Sequence, residues 1–156
     1  MRVGVEELKA YLANSGISAE ILELEDEVKT VNQAAKALGV SKEQIIKTIM
    51  FIDALGEPVL AIVRGDQKVD SKKLANVVGT LGVRMASAKE VKKHSGYAIG
   101  GLPPIGHKQK IKTVIDKKVL EKEFVYGGGG TEKHLLKISP KDVQKLTDAI
   151  VADIGT

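Results

Sequence analysis

The stretch Gln44 to Asp66, QIIKTIMFIDALGEPVLAIVRGD, constrains the fold more than any other part of the chain. Two apolar runs rich in β-branched residues flank DALGEP, which supplies the Asp, Gly and Pro of a turn, so the segment predicts a β-hairpin. One residue breaks the pattern. Lys47 sits at the centre of the first run, and an unpaired charge taken fully out of water there would cost several kcal/mol.

On a strand, Lys47 shares a face with Ile45, Ile49 and Phe51, while Ile46, Thr48, Met50 and Ile52 point the other way. Two roles fit that position. A lysine near a sheet edge discourages edge-to-edge pairing while its stem snorkels over apolar neighbours. A lysine lining a cleft would instead meet an anionic or carbonyl-bearing ligand as a compact point charge.

Around the hairpin, helical and strand patterns alternate. GVEELKAYLAN puts Val5, Leu8 and Leu12 on one helical face, with Gly16 as a stop, and AEILELE predicts a short strand. In TVNQAAKALGV, Thr30 and Gln33 form a capping-box pattern ahead of a helix that Gly39 ends. Ser41 with Gln44 and Ser87 with Glu90 repeat that pattern. SKKLANVVGTLG predicts a helix with Leu74, Val77, Val78 and Leu81 on one side. VRMAS, KTVIDKKVL, EFVYGGGG and LLKI predict strands, and GYAIGGLPPIGHK a strand broken by a loop. The closing segment SPKDVQKLTDAIVADI predicts a helix with Ser139 as N-cap, Pro140 at its first position, and Val143, Leu146, Ile150 and Ile154 on one face. The sum is an α+β fold with six or more short strands and helices grouped around them.

Length and composition narrow the function. At 156 residues with no composition break, residues 1–156 are expected to form a single compact domain. The absence of cysteine removes disulfides, thiol catalysis and thiolate metal sites. The three histidines, His94, His107 and His134, lack the close spacing of a zinc helix, so no metal or other cofactor is expected. No apolar stretch is long enough to span a membrane, and MRVGVEELKA reaches acidic residues too early for a signal peptide, which points to a cytoplasmic protein. The net charge of +4 makes an anionic partner plausible.

Two glycine-rich loops stand out beside Lys47. Gly100, Gly101, Leu102, Pro103 and Pro104 combine freedom and fixity of φ in a rigid loop whose amides can approach a ligand closely. Gly127, Gly128, Gly129 and Gly130 can do the same without the rigidity, or both loops can be plain turns. The tetraglycine run leads to Thr131 and Glu132 and is no P-loop. His134 follows where a loop-borne acid or base could work, although a solvated or hydrogen-bonded histidine is the simpler state. Lys108, Lys110 and Lys112 form a solvated face that, clustered with others, could track phosphates.

The ordered series TVNQAAKALGV, QIIKTIMF, RGD with VDSKKLA, GYAIGGLPPIG, and GGGG before LLKISP resembles the YbaK/ProX family, relatives of the editing domain inserted in bacterial-type prolyl-tRNA synthetases. The resemblance spans roughly residues 17 to 150. It implies a curved, barrel-like mixed sheet surrounded by helices, and a free-standing deacylase that hydrolyses the ester of mischarged tRNA, Ala- or Cys-tRNA(Pro), without a cofactor. The family's functional lysine falls on Lys47 and its G-x-x-x-P loop on Gly100 to Pro104. Gly127 to Gly130 take the place of the loop across the pocket, with Thr30 and His134 as further substrate contacts. Where some members start that loop with a histidine or serine, this chain has glycine. Mischarged tRNA is the implied partner, with prolyl-tRNA synthetase as a second. The alternative is a non-catalytic module that holds tRNA 3′ ends or a synthetase in the same cleft.

Overall fold

A computed structural model describes residues 4–156. The hairpin forms as its sequence dictates: β2 (Ile46–Asp53) runs antiparallel to β3 (Pro58–Arg64), with Asp53 Oδ1 accepting the Leu55 and Glu57 amides to close the turn. β3 is buried along six of its seven residues, from Pro58 to Val63. It is therefore a central strand, covered on both faces, and the other elements assemble around it.

Two sheets result. The larger has the order β4-β2-β3-β5-β8, where β4 is Val83–Met85, β5 Lys112–Asp116 and β8 Ile150–Ala152. The β3–β5 and β5–β8 pairs are parallel and the others antiparallel. The smaller has the order β1-β7-β6, from Glu20–Glu23, His134–Ile138 and Val125–Gly128, all antiparallel. A parallel bridge between Ile45 and Tyr126 links the two sheets. Neither closes on itself, so in place of the expected barrel-like sheet there are two open sheets. They nevertheless share one core: Ile46, Ile62 and Ile115 from the larger pack with Val125, Leu136 and Ile138 from the smaller and with Leu8.

Leu8 belongs to α1 (Val5–Ser15), which Gly16 ends in the left-handed region at φ 76°. The capping patterns are realised unevenly. In α2 (Val31–Leu38) the Thr30 hydroxyl accepts from the Gln33 amide, but the Gln33 side chain reaches the Lys29 amide instead of Thr30. In α4 (Ala88–Ser95) Ser87 and Glu90 cap each other reciprocally. α3 (Ser71–Val78) is capped by Asp70, which accepts from the amides of Lys72 and Lys73. α3 ends at Gly79, leaving Leu81 fully exposed instead of on the helix face expected for it.

Two further expectations fail. The segment from Tyr97 to Lys110 contains no strand, because its amide-free prolines and positive-φ glycines at Gly100 and Gly106 interrupt any ladder. The closing helix α5 (Pro140–Thr147) stops seven residues earlier than its apolar period implies. Asp148 turns into the left-handed region at φ 55°, and Ile150–Ala152 joins β5 as a parallel strand. No helix among the described residues is long and apolar enough to cross a membrane.

Candidate functional site

β2 carries a cleft because it is only partly paired on the side away from β3. Register with β4 begins at Phe51, and the bridge toward β6 is made by Ile45. Between these two points the strand borders a gap of about 310 Å³, lined mainly by apolar groups that include Ile46, Met50, Val91 and Leu102. Lys47 is thus both an edge lysine and a cleft lysine: β2 lies inside the larger sheet, yet its Lys47 stretch has an open side.

Lys47 is half-buried, and its Nζ donates to the carbonyl of Gln67. The acceptor is itself anchored. Gln67 is buried, with Oε1 accepting from the Arg64 amide at 3.1 Å and Nε2 donating to Asp116 Oδ1 at 3.5 Å. Asp116 is 1% exposed; burial opposes its charge, but the amides of Lys118, Ile154 and Gly155 at 2.8–2.9 Å outweigh that and hold its pKa below the ordinary carboxylate value. A chain of buried polar groups therefore fixes the Lys47 amine.

Burial lowers the pKa of Lys47, the Lys68 charge adds to the shift, and Asp66 opposes it. Asp66 is drawn away by Arg64, whose Nε and Nη2 grip its two oxygens at 2.9 and 2.7 Å. Lys47 also lines a second depression of about 400 Å³ together with Thr30, Lys42, Asp66, Gln67 and Lys68. It stands at the junction of an apolar cleft and a cationic hollow. An ammonium has three donors, and one is used on Gln67, which leaves two.

The opposite wall is built from backbone. Gly100, Leu102, Gly127 and Gly128 line the cleft; Gly101, Pro103, Pro104, Gly129 and Gly130 do not, and lie behind it. The Gly130 amide donates to the Gly101 carbonyl at 2.9 Å, and the Gly129 amide to the His134 carbonyl at 3.0 Å. These loops approach so closely that a Cβ on Gly128 would stand 2.2 Å from the Leu102 carbonyl oxygen, and one on Gly101 2.6 Å from Gly130. Glycine is required here by contact between main chains. The Gly101 amide donates to Ala98, whereas the amides of Gly100 and Leu102 have no acceptor among the described residues.

Thr30 lines both hollows while its hydroxyl caps α2. His134 does not line the cleft; its Nδ1 lies 2.7 Å from the Thr131 hydroxyl. His107 is held at 2.7 Å from the Pro103 carbonyl, and burial depresses its pKa. Sequence reasoning passed over three residues of the site. Gln67 and Lys68 sit in a turn where polar residues are ordinary, and Thr48 in a β-branched run reads simply as a strand former. The Thr48 hydroxyl oxygen is buried beside the cleft with no partner among the described residues.

Comparison with known proteins places this geometry. A Cys-tRNA(Pro)/Cys-tRNA(Cys) deacylase, EbsC, of Enterococcus faecalis, named provisionally as such, is 29% identical over 127 residues, covering 81% of this chain and 77% of that protein. The proline–tRNA ligase of Desulforamulus reducens is 37% identical over 127 residues, 81% of this chain but 22% of the ligase. A crystal structure described provisionally as a trans-editing enzyme for prolyl-tRNA synthetase superposes with a TM-score of 0.90 at 31% identity, over 100% of this chain and 99% of that one. The model of the aminoacyl-tRNA editing domain matches residues 25–146, from the loop before α2 to the last turn of α5, and the chain belongs to that family.

Proposed function

We propose that the chain is a trans-editing aminoacyl-tRNA deacylase acting in the cytoplasm on Ala- or Cys-tRNA(Pro). The observation that carries this reading is the Lys47 amine, fixed by Gln67 at the junction of a small apolar cleft and a cationic hollow. A 3′-aminoacyl nucleotide has the matching shape: an apolar side chain on one side of its ester and a phosphate on the other. The side chain fits the cleft, and the phosphate meets Lys47 with Lys42 and Lys68.

Hydrolysis then needs little side-chain chemistry, since an aminoacyl ester is already reactive and positioning with oxyanion stabilisation can supply most of the acceleration. Water adds to the ester carbonyl carbon, the oxygen gains negative charge, and the bond to the ribose 3′ oxygen breaks as that oxygen takes a proton. Pro103 and Pro104 have no amide to offer, and Gly101 spends its own on Ala98. The donors for the oxyanion are therefore the amides of Gly100 and Leu102. His134 has no step in this scheme. Exposed lysines on α4 and beyond it, Lys89, Lys92, Lys93, Lys108 and Lys112, offer phosphate contacts to the body of the tRNA. A small apolar pocket separates side chains differing by one methylene by only about 1 to 3 kcal/mol, so selection is incomplete.

Purified protein incubated with Ala- or Cys-tRNA(Pro), without added metal, is expected to release the amino acid well above the spontaneous rate. Tight binding of aminoacyl-tRNA with the ester left intact would establish the non-catalytic module instead.

A further inference from the structure

The backbone of β2 alternates in direction, and the alternation can be traced. The Gly65 amide donates to the Ile45 carbonyl, and the Asp53 amide to Glu57, so odd-numbered residues from Ile45 to Asp53 turn their amide and carbonyl toward β3. Even-numbered residues turn theirs to the other side, where the Ala86 amide donates to the Met50 carbonyl and Ile52 faces Arg84. Thr48 falls in the gap between the two flanking contacts. Its amide and carbonyl face away from β3, the pairing with β4 and the bridge to β6 both leave it out, and it lines the cleft. Its hydroxyl is buried without a partner as well. An amide and carbonyl outside the ladders beside an apolar cavity are costly unless another group replaces the water they have lost.

Building on the deacylase reading, we propose that the open edge of β2 at Thr48 holds the aminoacyl group of the substrate by main-chain hydrogen bonds. The α-ammonium donates to the Thr48 carbonyl, and the ester carbonyl accepts from the Thr48 amide. The amino acid thereby pairs with Thr48 as a one-residue addition to the sheet, exchanging both bonds as opposed residues do in an antiparallel ladder. This arrangement reads only what all amino acids share. Discrimination among side chains is left to the apolar walls at Met50, Val91 and Leu102. It also brings a donor to the carbonyl from the strand side, opposite the amides of Gly100 and Leu102.

The test is amide hydrogen exchange followed by NMR, using the stable 3′-amide analogue of 3′-alanyl-adenosine as probe. In the free protein the Thr48 amide is expected to exchange at least about tenfold faster than those of Lys47 and Ile49, which are bonded to β3. Saturating analogue should slow Thr48 about tenfold, and an analogue with propionyl in place of alanyl, lacking the ammonium, should bind about tenfold more weakly. A Thr48 amide already protected in the free protein, or unaltered by saturating analogue, would overturn the proposal. Deacylation of Ala-tRNA(Pro) by the same preparation separates the two readings. Ester loss with an unaltered Thr48 amide removes this inference alone, whereas no ester loss removes the deacylase reading and the inference with it.

Discussion

Lys47 on one wall of the cleft and the apposed glycine loops on the other are both candidates for chemistry by their spelling, and the structure sets them apart. Lys47 makes one contact to a carbonyl, and burial beside Lys68 penalises its charge. Gly101, Gly128 and Gly130 lie in main-chain contact, and Gly128 leaves no room for even a methyl group. One wall costs stability and offers a charge; the other supplies stability and shape, with the amides of Gly100 and Leu102 as its donors. The contrast teaches that glycine-rich spelling beside a site can record how closely two loops must pass, with ligand contact confined to a few of them.

Substitutions that break this contrast are ordered by their effect on folding. Gly128→Ala forces a Cβ against the Leu102 carbonyl and should destabilise the protein by about 3 kcal/mol in denaturant unfolding. A variant as stable as the parent would show that the loops are not apposed. Asp116→Asn weakens three amide contacts and the Gln67 anchor, and should cost about 2 kcal/mol. Because the folded pKa of Asp116 lies below its unfolded value, its contribution is fully present above the ordinary carboxylate range near about pH 4 and is lost as pH falls through the folded value. Thermal melts at descending pH should therefore show a shallower acid limb in Asp116→Asn than in the parent.

Smaller effects bear on the Lys47 wall. Thr48→Val removes a buried hydroxyl that has no partner among the described residues and should stabilise by about 1 kcal/mol, raising Tm by about 2 to 4 °C. A lowered Tm would mean that the hydroxyl is bonded after all. Lys92→Glu with Lys93→Glu, both on exposed positions of α4, should leave Tm within about 1 °C. The same pair should reduce the salt slope of tRNA binding by about 2. An unaltered slope would remove α4 from the tRNA contact surface.

What could be read from the chain follows the range of each interaction. The hairpin, α1 to α4 and most strands were legible because period, turn chemistry and caps act over a few residues. The end of α5 was not: Ile150 and Ile154 continue a helical period, but the pairing of Ile150–Ala152 with β5, thirty-odd residues earlier, prevails. At the site, Lys47 was conspicuous as a charge in an apolar run, and the motif order placed it. Gln67, Lys68 and the open edge at Thr48 were not legible, since their meaning comes from Asp116, from β4 and from β6, all distant in sequence. Gly101, Pro103, Pro104, Gly129, Gly130 and His134 do not line the cleft, and spelling cannot separate a residue in the cleft from one supporting it.

The most direct measurement is single-turnover ester loss from Cys- or Ala-tRNA(Pro) under saturating protein, comparing the parent with Lys47→Ala, with unfolding followed on the same samples. The account predicts a rate at least about 100-fold lower in Lys47→Ala, with folding stability within about 1 kcal/mol of the parent. Full turnover in a folded Lys47→Ala protein would contradict it.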